Sequence, residues 1–141
     1  MNAALATARL GTVVRTPANW IQLTKFALVG GSGYVINLGV FTLLGDEVGV
    51  PHQVAAVAAF AVAVVNNFLW NRYWTFRSGD APAGFQAARF FAVSLASLAL
   101  NLAVLEMIWR GGAVAPITAQ AIAVAVATPF NFIGNKLWTF A

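Results

Sequence analysis

The sequence predicts an all-α integral membrane protein with four transmembrane helices, built as two tandem helical hairpins of parallel orientation. Three observations predict it. Of the 141 residues, 60% are apolar and only 9% are charged, whereas a soluble domain carries about 25% charged residues. Four apolar runs each approach the roughly 20 residues needed to cross a hydrocarbon layer of about 30 Å. A decapeptide that begins at Asn67 returns 64 residues further on, at Asn131.

Residues 1–23 are Ala-rich and carry Arg9, Arg15 and Pro17. They lack the basic stretch followed by an apolar one that marks a secretory signal. The expectation is a cytoplasmic N-terminal tail, either partly disordered or forming an interfacial helix near Trp20. The membrane domain follows over residues 24–141. Its apolar runs extend over Phe26–Leu44, about Gln53–Trp70, Phe90–Trp109 and about Ile117–Leu137. Their connections hold the turn-forming and charged residues: Asp46, Glu47 and Pro51; then Ser78, Gly79, Asp80, Pro82 and Gly84; then Gly111 and Gly112.

The cations orient the chain. Arg9, Arg15, Lys25, Arg72, Arg77, Arg89 and Lys136 fall on one side of the predicted bundle and only Arg110 on the other. Positive charge is retained on the cytoplasmic side, so both termini are expected there. The pI of about 10.4 then follows from topology and attraction to anionic membrane lipids, and no nucleic acid is expected as partner. With no cysteine and a single histidine, His52, no disulfide, metal site or thiol nucleophile is available, and no cofactor is expected. Clustered carboxylates for a metal-bound nucleotide sugar are missing from the cytoplasmic side, which holds only Asp80, so the chain is not expected to be an enzyme.

The repeat is longer than its decapeptide. Asn67-Phe68-Leu69-Trp70-Asn71-Arg72-Tyr73-Trp74-Thr75-Phe76 matches Asn131-Phe132-Ile133-Gly134-Asn135-Lys136-Leu137-Trp138-Thr139-Phe140. The same offset aligns Lys25-Phe26 with Arg89-Phe90 and Asn37 with Asn101. The repeats run over about 25–76 and 89–140. A unit of two crossings returns to its own side, so the two should be related by a pseudo-two-fold along the membrane normal.

On a helix, positions i, i+4 and i+7 share a face, which puts Asn67, Asn71 and Trp74 on one stripe and Asn131, Asn135 and Trp138 on another. An amide in hydrocarbon needs a partner. It finds one either across helices, binding the bundle together, or in a polar ligand. Lys25, Arg72, Arg89 and Lys136 sit at the cytoplasmic ends of the hairpins and would ring one opening, the charge that a phosphate needs. Trp74 and Trp138 serve either as flat sugar platforms or as membrane anchors. Asn37 and Asn101 lie near mid-membrane. Glu106 either pairs with Arg110 one turn on or acts as a gate. Pro129 predicts a kink in the fourth helix. Gly30-Gly31-Ser32-Gly33 lacks the strand that a nucleotide-binding loop requires and reads as a close-packing site.

With its repeated Asn-x-x-x-Asn-[Arg/Lys]-x-Trp-Thr-Phe, its Lys25-Phe26…Gly33…Asn37 opening and its four spans, the chain resembles the GtrA-like family over about residues 24–140. That resemblance implies a bacterial inner-membrane protein of cell-surface polysaccharide and cell-wall synthesis. Its implied role is flipping a polyprenyl-monophosphate-linked sugar. The family positions carried over are Lys25, Asn37, Asn67, Asn71, Arg72, Trp74, Arg89, Asn101, Asn131, Asn135, Lys136 and Trp138. A second reading is a membrane scaffold that recruits or positions a polyprenyl-phosphate-sugar glycosyltransferase. Four spans enclose little, so a homodimer is compatible with either.

Overall fold

The computed structural model describes residues 7, 8, 11, 15–112 and 114–141. Residues 1–6, 9, 10 and 12–14 of the expected N-terminal tail, Arg9 included, lie outside the described residues. The rest is helical, with no strand among the described residues. Helix α1 covers Pro17–Thr42, α2 His52–Trp70, α3 Ala83–Gly111 and α4 Pro116–Gly134. All four are long and apolar enough to cross a membrane, so the protein is a multi-pass membrane protein.

Proline starts each helix. Pro17 and Pro116 occupy the first turns of α1 and α4, and Pro51 and Pro82 immediately precede α2 and α3. A first-turn N–H has no helical partner, so proline loses nothing there. Helix α1 therefore begins well before the apolar run at Phe26, and α4 continues as α-helix through Pro129. Helix α3 stops at Gly112, whose φ of 65° suits a residue without Cβ.

The other three helices end differently. Each runs into one π-helical turn: Leu43–Glu47 after α1, Asn71–Thr75 after α2 and Asn135–Thr139 after α4. The last two fall at identical places in the two decapeptides. In each, an i→i−5 bond closes the turn, from Phe76 N to Asn71 O (2.9 Å) and from Phe140 N to Asn135 O (2.8 Å).

Within each hairpin the helices pack closely along their length, α1 on α2 and α3 on α4, while contacts between hairpins are sparse. The intra-hairpin seam is lined by alanines at i, i+4 spacing: Ala55, Ala59 and Ala63 on α2, and Ala119, Ala123 and Ala127 on α4, all buried. In lipid no hydrophobic effect draws helices together, and small residues let backbones approach and gain dispersion contacts.

The hairpins meet chiefly through six phenylalanines. The rings of Phe76 and Phe140 stack with centroids 5.0 Å apart. Phe26 meets Phe132 at 5.7 Å, and Phe68 meets Phe90 at 5.7 Å. Phe26–Phe76 and Phe90–Phe140 lie at 6.2 and 6.1 Å, and Phe76–Phe132 and Phe68–Phe140 at 5.8 and 6.1 Å. Every contact has a counterpart 64 residues away. Each such pair contributes about 0.5–1.5 kcal/mol beyond area burial. The cluster holds the bundle at the end that carries Lys25, Arg72, Arg89 and Lys136, the basic end.

Candidate functional site

The sparse contact between hairpins leaves a central cavity of about 660 Å³. Helix α1 lines it with Phe26, Ala27, Gly30, Gly31 and Tyr34, α2 with Asn67, α3 with Phe90 and Ser94, and α4 with Gln120, Val124, Thr128 and Asn131; Asn71 completes the lining from its π turn. A Cβ at Gly30 or Gly31 would meet nothing within 4 Å, so these glycines open the wall here. Gly33 is where the expected close packing occurs, since its Cβ would stand 2.1 Å from Asn67 Oδ1. The lining is uncharged, with the amides and hydroxyls of Asn67, Asn71, Ser94, Gln120, Thr128 and Asn131 set among apolar side chains.

Asn71 is 2% exposed, and its Oδ1 has no hydrogen-bond partner. A buried amide oxygen left unpaired costs about 1–3 kcal/mol. Its counterpart Asn135 does not line this cavity. Asn135 Nδ2 donates to Asn131 O (2.9 Å) and Asn131 Oδ1 (2.7 Å). Thr75 and Thr139, four residues beyond each Asn, are buried with unpartnered hydroxyls.

The π turns alter the expected stripes. Asn67 and Asn71 face the cavity, but Trp74 lies in a separate groove with Leu28, Val29, Ser32, Ile36, Asn66 and Trp70. An i→i−5 turn shifts the helical phase, so i+7 counting from Asn67 no longer holds at Trp74. Trp138, likewise within a π turn, is 48% exposed.

The four cations do not ring the cavity; they divide into two pairs. Arg72 is 5% exposed. Its Nη1 donates to Gln86 Oε1 (2.6 Å), and its Nη2 donates to Gly79 O (2.7 Å) and Ala81 O (2.8 Å). Lys136 Nζ donates to Gln22 Oε1 and Asn19 Oδ1. Gln22 and Gln86 are themselves 64 residues apart, so each motif cation is tied to the glutamine at the start of the other hairpin. These glutamines were not singled out from sequence; both fall before the apolar runs and read there as ordinary interfacial residues. The second pair rests on indoles. Lys25 Nζ lies 5.1 Å from the Trp74 ring centroid and Arg89 Cζ 5.5 Å from that of Trp138, and Arg89 Nη1 donates to Trp138 O (3.0 Å). Among the described residues, none of the four cations has a carboxylate partner.

Asn101 lines a smaller cavity of about 190 Å³ with Ser94, Ser97 and Asn131, while Asn37 is half-buried outside the central cavity. Glu106 accepts from Arg110 Nε at 2.7 Å, with both side chains exposed. No group of three or more potential metal ligands occurs among the described residues.

Similarity to known proteins is consistent with this architecture. The chain is 29% identical over 118 residues to an uncharacterized membrane protein, YngA, of Bacillus subtilis (strain 168), covering 84% of this chain and 78% of that one. It is 35% identical over 77 residues to a dolichol-phosphate mannosyltransferase of Pyrococcus furiosus, covering 55% of this chain and 21% of the relative. The family described as GtrA/DPMS, transmembrane domain, matches residues 25–140, and the chain belongs to that family.

Proposed function

We propose that the protein translocates a polyprenyl-monophosphate-linked sugar across the bacterial cytoplasmic membrane, with its basic end in the cytoplasm, for cell-surface polysaccharide and cell-wall synthesis. The observation that carries this reading is the neutral, amide-lined cavity inside four lipid-exposed helices. A sugar crossing hydrocarbon must replace its hydrogen bonds to water. Asn67, Asn71 and Asn131, with Gln120, Ser94 and Thr128, supply donors and acceptors at that depth. A charge at the bilayer centre costs about 3 kcal/mol or more, so the phosphate belongs with the cations at the basic end. Lys25 and Arg89, held against Trp74 and Trp138, are its first ligands in this proposal. Arg72 and Lys136 fix the hairpins while adding positive field. In this reading the protein is not an enzyme, and the sugar moves down its own gradient.

Reconstitution tests it. Liposomes containing the protein should pass polyprenyl-monophosphate glucose across the bilayer faster than liposomes containing an inert four-helix protein. Replacing Asn67 and Asn131 together by Leu should slow that passage at least tenfold. Equal rates with and without the protein end the proposal.

The partial match to a dolichol-phosphate mannosyltransferase favours a second reading, a membrane anchor that positions a glycosyltransferase of polyprenyl-phosphate sugars. Under it, the enzyme co-purifies with the chain even when Lys25 and Arg89 are both replaced by Ala, and the liposomes show no passage.

A further inference from the structure

Ser32, Asn66 and Trp70 of the first half have no counterpart in the second, where Ala96, Phe130 and Gly134 stand at the same offset. The structure brings all three to one place. They line a groove of about 410 Å³ on the lipid side of the first hairpin, together with Leu28, Val29, Ile36 and Trp74. The Trp70 and Trp74 rings meet edge to face at 6.1 Å, and Lys25 stands over Trp74. At the equivalent place in the second hairpin a Cβ at Gly134 would stand 2.9 Å from Val93 Cγ1, so a larger side chain there would displace Val93.

We propose that this groove is the docking site for the sugar-phosphate end of a lipid-linked sugar, and that only the first hairpin carries it. The inference rests on the translocation reading and names where that lipid loads. Hydrogen-bond accounting selects the occupant. Asn66 Nδ2 donates to Ser32 Oγ (3.2 Å) and Asn67 Oδ1 (3.3 Å), and Ser32 Oγ donates to Val29 O (2.7 Å). The amide and hydroxyl donors are therefore committed, so beside the indole N–H groups of Trp70 and Trp74 the groove offers acceptors, Asn66 Oδ1 and a lone pair of Ser32 Oγ, and a group that both donates and accepts suits it. Ser32 lies seven residues beyond Lys25, about 10 Å deeper at 1.5 Å per residue. At that depth a diacyl phospholipid presents ester carbonyls, which only accept. A sugar presents hydroxyls, which donate, and its flat face suits an indole. Lys25 takes the phosphate at the interface. Asn66 and Asn67 link the groove to the central cavity, so a head group docked here is already at the cavity wall.

Native mass spectrometry of the full chain in nanodiscs tests this with three probes: polyprenyl-monophosphate glucose, the same polyprenyl monophosphate without sugar, and phosphatidylglycerol. Asn66→Leu and Ser32→Ala should each weaken binding of the glucose lipid about tenfold and leave the sugarless lipid unchanged. Lys25→Gln should weaken both, and Phe130→Ala neither. Thermal unfolding checks each variant; if Asn66→Leu fails to fold, Ser32→Ala, which removes one oxygen, decides. Glucose-lipid binding unmoved by these two variants overturns the groove. So does preferential binding of phosphatidylglycerol, or a dimer that Trp70→Leu dissolves, which would seat a second copy there. Passage across liposomes separates the two proposals: a protein that transports but ignores Asn66→Leu loses only the groove, and one that binds through Asn66 but does not transport loses only translocation.

Discussion

Asn71 and Asn135 are 2% and 0% exposed and the Oδ1 of each is unpaired, but Asn135 Nδ2 holds both Asn131 O and Asn131 Oδ1. Matching positions in the repeat thus have different balances of cost. In Asn71→Leu an unpaired buried oxygen disappears, and the change in stability should stay within about 1 kcal/mol, in either direction. In Asn135→Leu an unpaired oxygen disappears as well, but two donated bonds are lost and Asn131 Oδ1 is left without its donor, which should cost about 1–2 kcal/mol. Thermal unfolding in detergent measures both. Only Asn71→Leu should slow sugar-lipid passage without loss of stability, the mark of a residue kept for a ligand. The sequence already made these amides stand out, because polar side chains are rare in so apolar a chain. It did not separate Trp74 from them. Periodicity assumes a constant helical phase, and a single i→i−5 bond from Phe76 to Asn71 breaks that assumption without leaving any compositional trace.

Helix packing sets the next scale. Gly33 is buried, and a Cβ there would meet Asn67 Oδ1 at 2.1 Å and Cγ at 2.7 Å, whereas at Gly30 it would meet nothing within 4 Å. Gly33→Ala should therefore cost about 1–3 kcal/mol through overpacking and displace Asn67 from the cavity. Gly30→Ala should leave stability unchanged or slightly raised, because alanine is the better helix former. Paired unfolding curves distinguish them. The connection between hairpins depends on Arg72, whose three bonds reach Gln86, Gly79 and Ala81. Gln86→Leu removes the side-chain partner of a buried guanidinium and should cost about 1.5–3 kcal/mol. Limited proteolysis should then cut within residues 77–82 faster than in the parent chain. Arg72→Lys should behave similarly, since an ammonium cannot reach all three acceptors in a fixed fork. This clamp was not legible in the sequence because its partner is an ordinary-looking glutamine 14 residues away, and for Lys136 the equivalent glutamine is 114 residues away.

At the scale of the whole molecule, the four spans and the basic end were legible because each follows from composition: apolar length sets the crossings, and the cations cluster at one end. The cavity was not, since it exists only where two hairpins fail to pack, and failure to pack has no motif. What closes it can be tested directly. Phe26 and Phe90 line the cavity and also belong to the phenylalanine cluster, so the stacked Phe76–Phe140 pair stands between the polar interior and the basic end. Six packed rings exclude water, and an apolar constriction of this kind bars polar solutes until the rings part. The chain contains no cysteine, so single cysteines report accessibility without background. In cells, Asp80→Cys, in the connection between hairpins, should react with a membrane-impermeant thiol reagent only from the cytoplasmic side, and Val48→Cys, 63% exposed at the opposite end, only from outside. Asn71→Cys should be unreactive from the cytoplasmic side in the parent background and become reactive when Phe76→Ala and Phe140→Ala are added together. Rapid labelling of Asn71→Cys from the cytoplasmic side with all six phenylalanines intact would mean that the aromatic cluster holds the hairpins together but does not close the path, and a head group would then need no parting of the rings to reach the amides.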